Sequence, residues 1–129
     1  MQDIKYIEPT ALHEEMVRLR NEKKMDFLES LTGMDWGEPD EKDSPETVRG
    51  LGVVYHLEST TTGERMVVKT STINRESPEL PSVCDIWRAA EMNEREVYDY
   101  FGIIFAGHPD MRRLFLRNDW VGYPLRKDN

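Results

Sequence analysis

The sequence predicts an α+β fold in two layers, a mostly antiparallel sheet covered on one face by helices. Three observations predict it: a central hairpin of β-branched residues, apolar positions at helical spacing before and after it, and more strands than helices in the chain order. A doubly wound parallel sheet would need strands and helices alternating throughout, and they do not.

Gln2–Glu8 (QDIKYIE) alternates in the manner of a short strand, which Pro9 stops. Thr10 is placed to cap a helix, and Leu12, Met16 and Leu19 follow at helical spacing, with charged residues between them. The phase is lost over 21–24. Phe27, Leu28 and Leu31 resume it and predict a second helical segment, with Gly33 as its C-terminal cap.

Met34–Val48 carries six acids against one Lys, together with Pro39 and Pro45. It resembles a metal loop only superficially, because calcium loops need an ordered ligand ladder around a central Gly. It reads as a solvated loop. Leu51–Ser59 and Glu64–Ile73 flank Thr60-Thr61-Thr62-Gly63 and predict the hairpin. Alternation places Val53, Tyr55 and Leu57 on one face. His56, with no second ligand at metal spacing, reads as a surface side chain.

Ser77–Pro81 is expected to be loop. A helix from Ile86 to Phe101 follows, capped by Asp85 and closed by Gly102. Ile103–Phe105 suits a last short strand, and Gly107-His108-Pro109-Asp110 a turn.

The chain has 129 residues, a size suited to one domain, with 38% hydrophobic and 33% charged residues. Net charge is −8, unevenly placed. Met1–Gly107 holds 12 Lys and Arg against 22 Asp and Glu, and His108–Asn129 holds 5 against 3. An acidic body with a basic end argues against nucleic acid, which needs clustered cations over a broad face. No apolar run approaches the roughly 20 residues that cross a bilayer. A lone cysteine, Cys84, with no signal-like start, fits a reducing compartment.

Reactive constellations are scarce. There is no CxxC pair for a cluster or zinc, and no glycine-rich phosphate loop. Cys84 with His56 or His108 could be imagined as nucleophile and base, but nothing in the sequence brings them together, and Cys84 sits among residues where it should pack. His108 with the Glu94 and Glu96 carboxylates is the remaining acid–base candidate; a solvated or partner-facing surface is the expected reading of those acids. On a helix, Arg95 and Asp99 are four apart and should pair. Beyond the helix, Phe101, Phe105, Phe115, Trp120 and Tyr123 interleave with Arg112, Arg113, Arg117 and Arg126. Aromatics and Arg are the residue types enriched at protein interfaces, so a core of 1–107 and a partner-binding tail of 108–129 are expected within one domain.

The same stretch carries a family resemblance. The ordered run from Glu94 through Arg95, Glu96, Asp99, Phe101 and Gly102, followed by Gly107, His108, Pro109 and Asp110, is similar to the signature of the 30 kDa subunit family of respiratory NADH:quinone oxidoreductase. Arg112, Arg113 and the closing Pro124, Leu125 and Arg126 continue it, and Ser82–Trp87 resembles the run that leads in. Arg88 departs from the family, which usually has Pro there, and the chain stops after the PLRKD run where many relatives continue along their partner.

The resemblance implies a subunit without catalytic, cofactor or metal residues of its own. It would sit peripherally at the cytoplasmic face of the cell membrane, against the large quinone-site subunit (the D subunit) and other peripheral-arm subunits. The complex would use FMN, Fe-S clusters, NADH and quinone. The signature residues would fix their own loop or make the partner contact. An equivalent place in a membrane-bound hydrogenase or a ferredoxin- or F420-linked complex is the alternative.

Overall fold

The structure is a computed structural model, and it describes residues 3–37, 50–72, 76–113 and 122–126. The elements are β1 (Asp3–Tyr6), α1 (Pro9–Glu22), β2 (Phe27–Asp35), β3 (Leu51–Glu58), β4 (Arg65–Thr72), β5 (Glu79–Pro81), α2 (Ala90–Phe101) and β6 (Ile104–Ala106). The first four strands form one sheet in the order β1-β4-β3-β2, antiparallel except for the parallel β1–β4 pair. Strands β5 and β6 pair in parallel as a separate ribbon. The expected two-layer α+β architecture is present.

The hairpin forms where the alternation places it. Its turn closes at Gly63, which adopts φ +79°, a conformation open to glycine without steric cost. Val53, Tyr55 and Leu57 face inward, and cross-strand pairing sets Met66, Val68 and Thr70 on the same face. Leu12, Met16 and Leu19 of α1 and Ala90 and Val97 of α2 join these strand residues in one core, so both helices cover the same side. On the opposite face Val54, His56 and Lys69 stay partly exposed, and Ile4 is 68% exposed. Among the described residues no helix is long and apolar enough to cross a membrane.

Five local expectations fail, each for a physical reason. The predicted helical segment at Phe27–Leu31 is strand β2, the sheet edge beside β3. A register shift between Leu28 and Ser30 leaves Leu28 and Leu31 both buried. One bulged residue thereby imitates the i, i+3 spacing of a helix. Gly33 is no cap: a Cβ there would lie 2.5 Å from the Phe101 ring, so its bareness lets α2 settle onto β2.

At the first helix, Glu8 rather than Thr10 is the N-cap, because Pro9 fits the first helical position, where its missing N–H costs nothing. Helix α2 begins at Ala90, after Ala89, and not near Asp85. The preceding residues form tight turns closed by Ile86 and Trp87 amides on the Val83 carbonyl. Asp85 instead meets His13 of α1 at 2.8 Å. Ser77–Pro81 is not all loop, because Glu79–Pro81 is β5, which gains backbone partners only from β6, about 25 residues further on. Most of the acidic loop expected at Met34–Val48 lies outside the described residues, although Met34 and Asp35 end β2.

Candidate functional site

Helix α2 and the segment after it hold the sequence-predicted residues. Successive turns of α2 alternate buried polar groups with exposed ones: Glu94, Arg95 and Asp99 are buried, whereas Met92 and Glu96 face outward. Three ionisable groups therefore enter the packed layer from a single helix, and each must be satisfied there.

Glu94 Oε1 is hydrogen-bonded to the Ser82 hydroxyl at 2.6 Å, and Oε2 accepts from the Val83 amide at 2.8 Å. Burial raises its proton affinity, and the two donors offset only part of that effect. The expectation of a solvated or partner-facing Glu94 is corrected: the side chain pins the turn before α2. Glu96 is exposed, as expected, and lines a shallow groove with Leu31, Val97, Tyr100, Phe101 and Leu125.

Arg95 does not take Asp99 as its partner. Its Nε donates to the Arg112 carbonyl at 3.2 Å and its Nη2 to the Arg113 carbonyl at 2.9 Å, with Asp110 3.9 Å away. Asp99 pairs with Arg113, whose Nη1 reaches Oδ1 at 3.1 Å and the Asp99 carbonyl at 2.6 Å. A fork of five donors suits this, and Arg113 uses another on the Gly122 carbonyl at 3.0 Å. The same guanidinium lies 4.7 Å from the Tyr123 ring centre and 5.9 Å from that of Tyr98. Arg113 is the pin through which two stretches of chain are held to the end of α2.

Gly102 ends the helix as expected, at φ +79° with its amide on the Tyr98 carbonyl. The Tyr123 ring packs so closely that a Cβ on Gly102 would meet it at 2.8 Å. Gly107 opens the next turn, also at positive φ. There the Asp110 amide donates to His108 Nδ1 at 2.9 Å, so Nε2 carries the hydrogen and donates to the Glu91 carbonyl at 2.8 Å. His108 staples the turn to α2. Asp110 is bound by Arg112 at 3.0 Å through both oxygens, and that bond holds its carboxyl below the usual range.

Pro109 and Pro124 are exposed, Phe101 and Arg126 half-buried, and Leu125, whose amide reaches the Tyr100 carbonyl at 3.0 Å, is 55% exposed. Phe115, Arg117 and Trp120 lie outside the described residues. Where it is described, the proposed tail thus lies on its own α2. Sequence reading missed the partners that make this work: the Ser82 hydroxyl, the Val83 amide and the Tyr98–Arg113–Tyr123 stack. Ser82 stands 12 residues before Glu94, so no local spacing announces the bond. Cys84 is half-buried, its amide turned to the Ser82 oxygen at 3.2 Å. No cluster of three or more potential metal ligands occurs among the described residues.

Fold and site together define an α+β module whose most densely charged helix is bound up with its own chain. The family described as respiratory-chain NADH dehydrogenase, 30 Kd subunit, matches residues 5–129, and the chain belongs to it. It is 76% identical over 129 residues to the C/D subunit of NADH-quinone oxidoreductase from Bacteroides fragilis, covering all of this chain and 24% of that protein. It is 41% identical over 105 residues to the C subunit of NADH-quinone oxidoreductase from Chloroherpeton thalassium, covering 81% of this chain and 40% of that one. The chain therefore spans less than half the length of these curated relatives.

Among solved structures, the trypsin-resistant fragment (1-134) of Nqo5 superposes with a TM-score of 0.67 at 35% identity, over 81% of this chain and 79% of the fragment. A chain of the membrane-bound sulfane sulfur reductase, an archaeal respiratory membrane complex, superposes with a TM-score of 0.75 at 28% identity, over 99% and 72%.

Proposed function

We propose that this chain is a non-catalytic structural module of the peripheral arm of a proton-translocating NADH:quinone oxidoreductase. It packs on the large quinone-site subunit and supports electron transfer from NADH through Fe-S clusters to quinone, while FMN, clusters and quinone are held by other parts of the complex. It lies at the cytoplasmic face of the membrane without spanning it. The C/D relatives, whose name joins the two subunits, support the D subunit as the partner.

One observation carries the reading. The buried and half-buried polar side chains of the signature are engaged with the chain's own backbone and side chains: Glu94 on Ser82 and Val83, Arg95 on 112 and 113, His108 on Glu91, and Arg113 on Asp99. A group spent on holding a turn is unavailable to move protons on a substrate. Outward among the described signature residues are Glu96, Pro109, Arg112, Pro124 and Leu125, mixed in charge and apolar character as docking surfaces are. The signature residues serve the partner indirectly, by fixing the shape presented to it.

Affinity capture of the tagged chain from cells that express the complex should co-purify the D subunit at physiological salt. Recovery of the free chain alone would sink the proposal. A second reading rests on the archaeal membrane complex, whose chain covers nearly all of this one. The module would then hold the same place in a hydrogenase-like or ferredoxin- or F420-linked complex. Flavin- and NADH-binding subunits in the same purified complex decide for the first reading, and their replacement by hydrogenase-type subunits for the second.

A further inference from the structure

Helix α2 buries two carboxyl groups completely and treats them differently. Asp99 meets the Arg113 guanidinium at 3.1 Å. Among the described residues Glu94 meets no cation: its partners are the neutral Ser82 hydroxyl on Oε1 and the Val83 amide on Oε2. The titratable and charged groups around it do not supply one. Tyr55 of β3 lies within its field, with a fully buried hydroxyl that has no hydrogen-bond partner among the described residues. His108 faces it from the segment after β6, but accepts at Nδ1 and donates at Nε2, which is the neutral ring. Asp85, from the turn before the helix, is of like charge and bound to His13 of α1. On α2 itself, Arg95 is turned to the 112 and 113 carbonyls, and Glu91 would only repel.

The contacts of Ser82 accommodate a protonated acid. Its Oγ lies 2.6 Å from Glu94 Oε1 and 3.1 Å from Cys84 Sγ, and accepts from the Cys84 amide at 3.2 Å. A proton on Oε1 is donated to Ser82 Oγ, and the Ser82 hydrogen then turns to the sulfur. The thiol has a hydrogen of its own, so burial decides: an ionised Glu94 would be a fully buried charge held by two neutral donors. We propose that Glu94 is buried as the neutral acid, hydrogen-bonded through its proton to Ser82, so that seating α2 against the turn at 82–86 takes up one proton.

The consequence is a latch sensitive to alkali. Burial raises the carboxyl above its free value, so its contribution is fully present below the unfolded value of about 4.3 and is lost as pH rises through the folded one. The exposed acids act oppositely: Asp110, for example, is lowered by Arg112. Only a difference against a Glu94 variant isolates the latch.

Infrared spectra of the full chain with carboxyl-labelled glutamate test it directly. The expected result is the carbonyl band of a protonated carboxyl at neutral pH, absent in Glu94→Gln and shifted in Ser82→Ala, where the acid loses its acceptor. Denaturation as a function of pH gives the second readout. Relative to Glu94→Gln, the wild-type folded-to-unfolded ratio should fall by up to about tenfold per pH unit above the free carboxyl range. Absence of the protonated band, a band unmoved in Ser82→Ala, or equal pH slopes in wild type and Glu94→Gln would each overturn the proposal. Should Glu94→Gln not fold, the wild-type band and its response to Ser82→Ala still decide.

Discussion

The central hairpin and the end of α2 are both tightly packed, but by different means. In the hairpin, Val53, Tyr55, Leu57 and Val68 are essentially inaccessible to solvent, and what holds them is apolar area removed from water. At the end of α2, Asp99 and the Arg113 side chain are nearly as deeply buried, yet the hold is an ion pair, two backbone carbonyls and two tyrosine rings. Apolar packing is non-directional and survives small shifts. A buried fork of charge is directional and fails as a unit when one partner is lost. The hairpin is therefore suited to setting the fold, and the helix end to holding a particular surface in one shape.

Three substitutions test that contrast. Arg113→Ala has the largest expected effect, because it takes the guanidinium away from the buried Asp99 carboxylate and from two backbone carbonyls; about 3–5 kcal/mol should be lost in urea denaturation. Hydrogen exchange should rise first at Gly102 and Leu125, whose amides bond to the Tyr98 and Tyr100 carbonyls, while β3 stays protected. Uniform loss of protection would show that the two regions are one cooperative unit. Leu57→Ala should cost roughly 2–4 kcal/mol and lower protection across the whole sheet, since the cavity lies in the shared core. A change confined to the turn would contradict the role given to the hairpin.

Tyr55→Phe has the smallest expected effect. It removes a buried hydroxyl that has no partner among the described residues, so thermal denaturation should show unchanged or slightly greater stability, by up to about 1 kcal/mol. A marked loss would mean that the hydroxyl is bonded to Glu94 or its neighbours after all.

The parts of the molecule held by periodic apolar burial are legible in the residue order alone. Alternation in 51–59 and 64–73 locates the hairpin and its inward face, helical spacing at 12, 16 and 19 locates α1, and Gly102 marks the end of α2. The second segment misread as helix shows the limit of periodicity. Leu28 and Leu31 have helical spacing because of a bulge, and a bulge is defined only by the strand opposite. In the candidate site, the family signature identifies a set of residues, but not what each one touches. Arg95 and Asp99 are at pairing distance along a helix, and both instead choose partners from the segment that crosses beside them.

By itself, then, the sequence determined the class of fold, the hairpin with its buried face, the place of α1, the end of α2 and the membership signalled by the ordered run from Glu94 to Arg126. Those features depend on local propensity and on periods of two and about 3.6 residues, which are written along the chain. Only the tertiary structure decided that Ser82 meets Glu94, that Arg113 meets Asp99 and Tyr123, and that β5 pairs with β6. Long-range polar partners are chosen by geometry in the packed interior, where each buried charge or donor takes whatever satisfies it within reach, regardless of its distance along the chain.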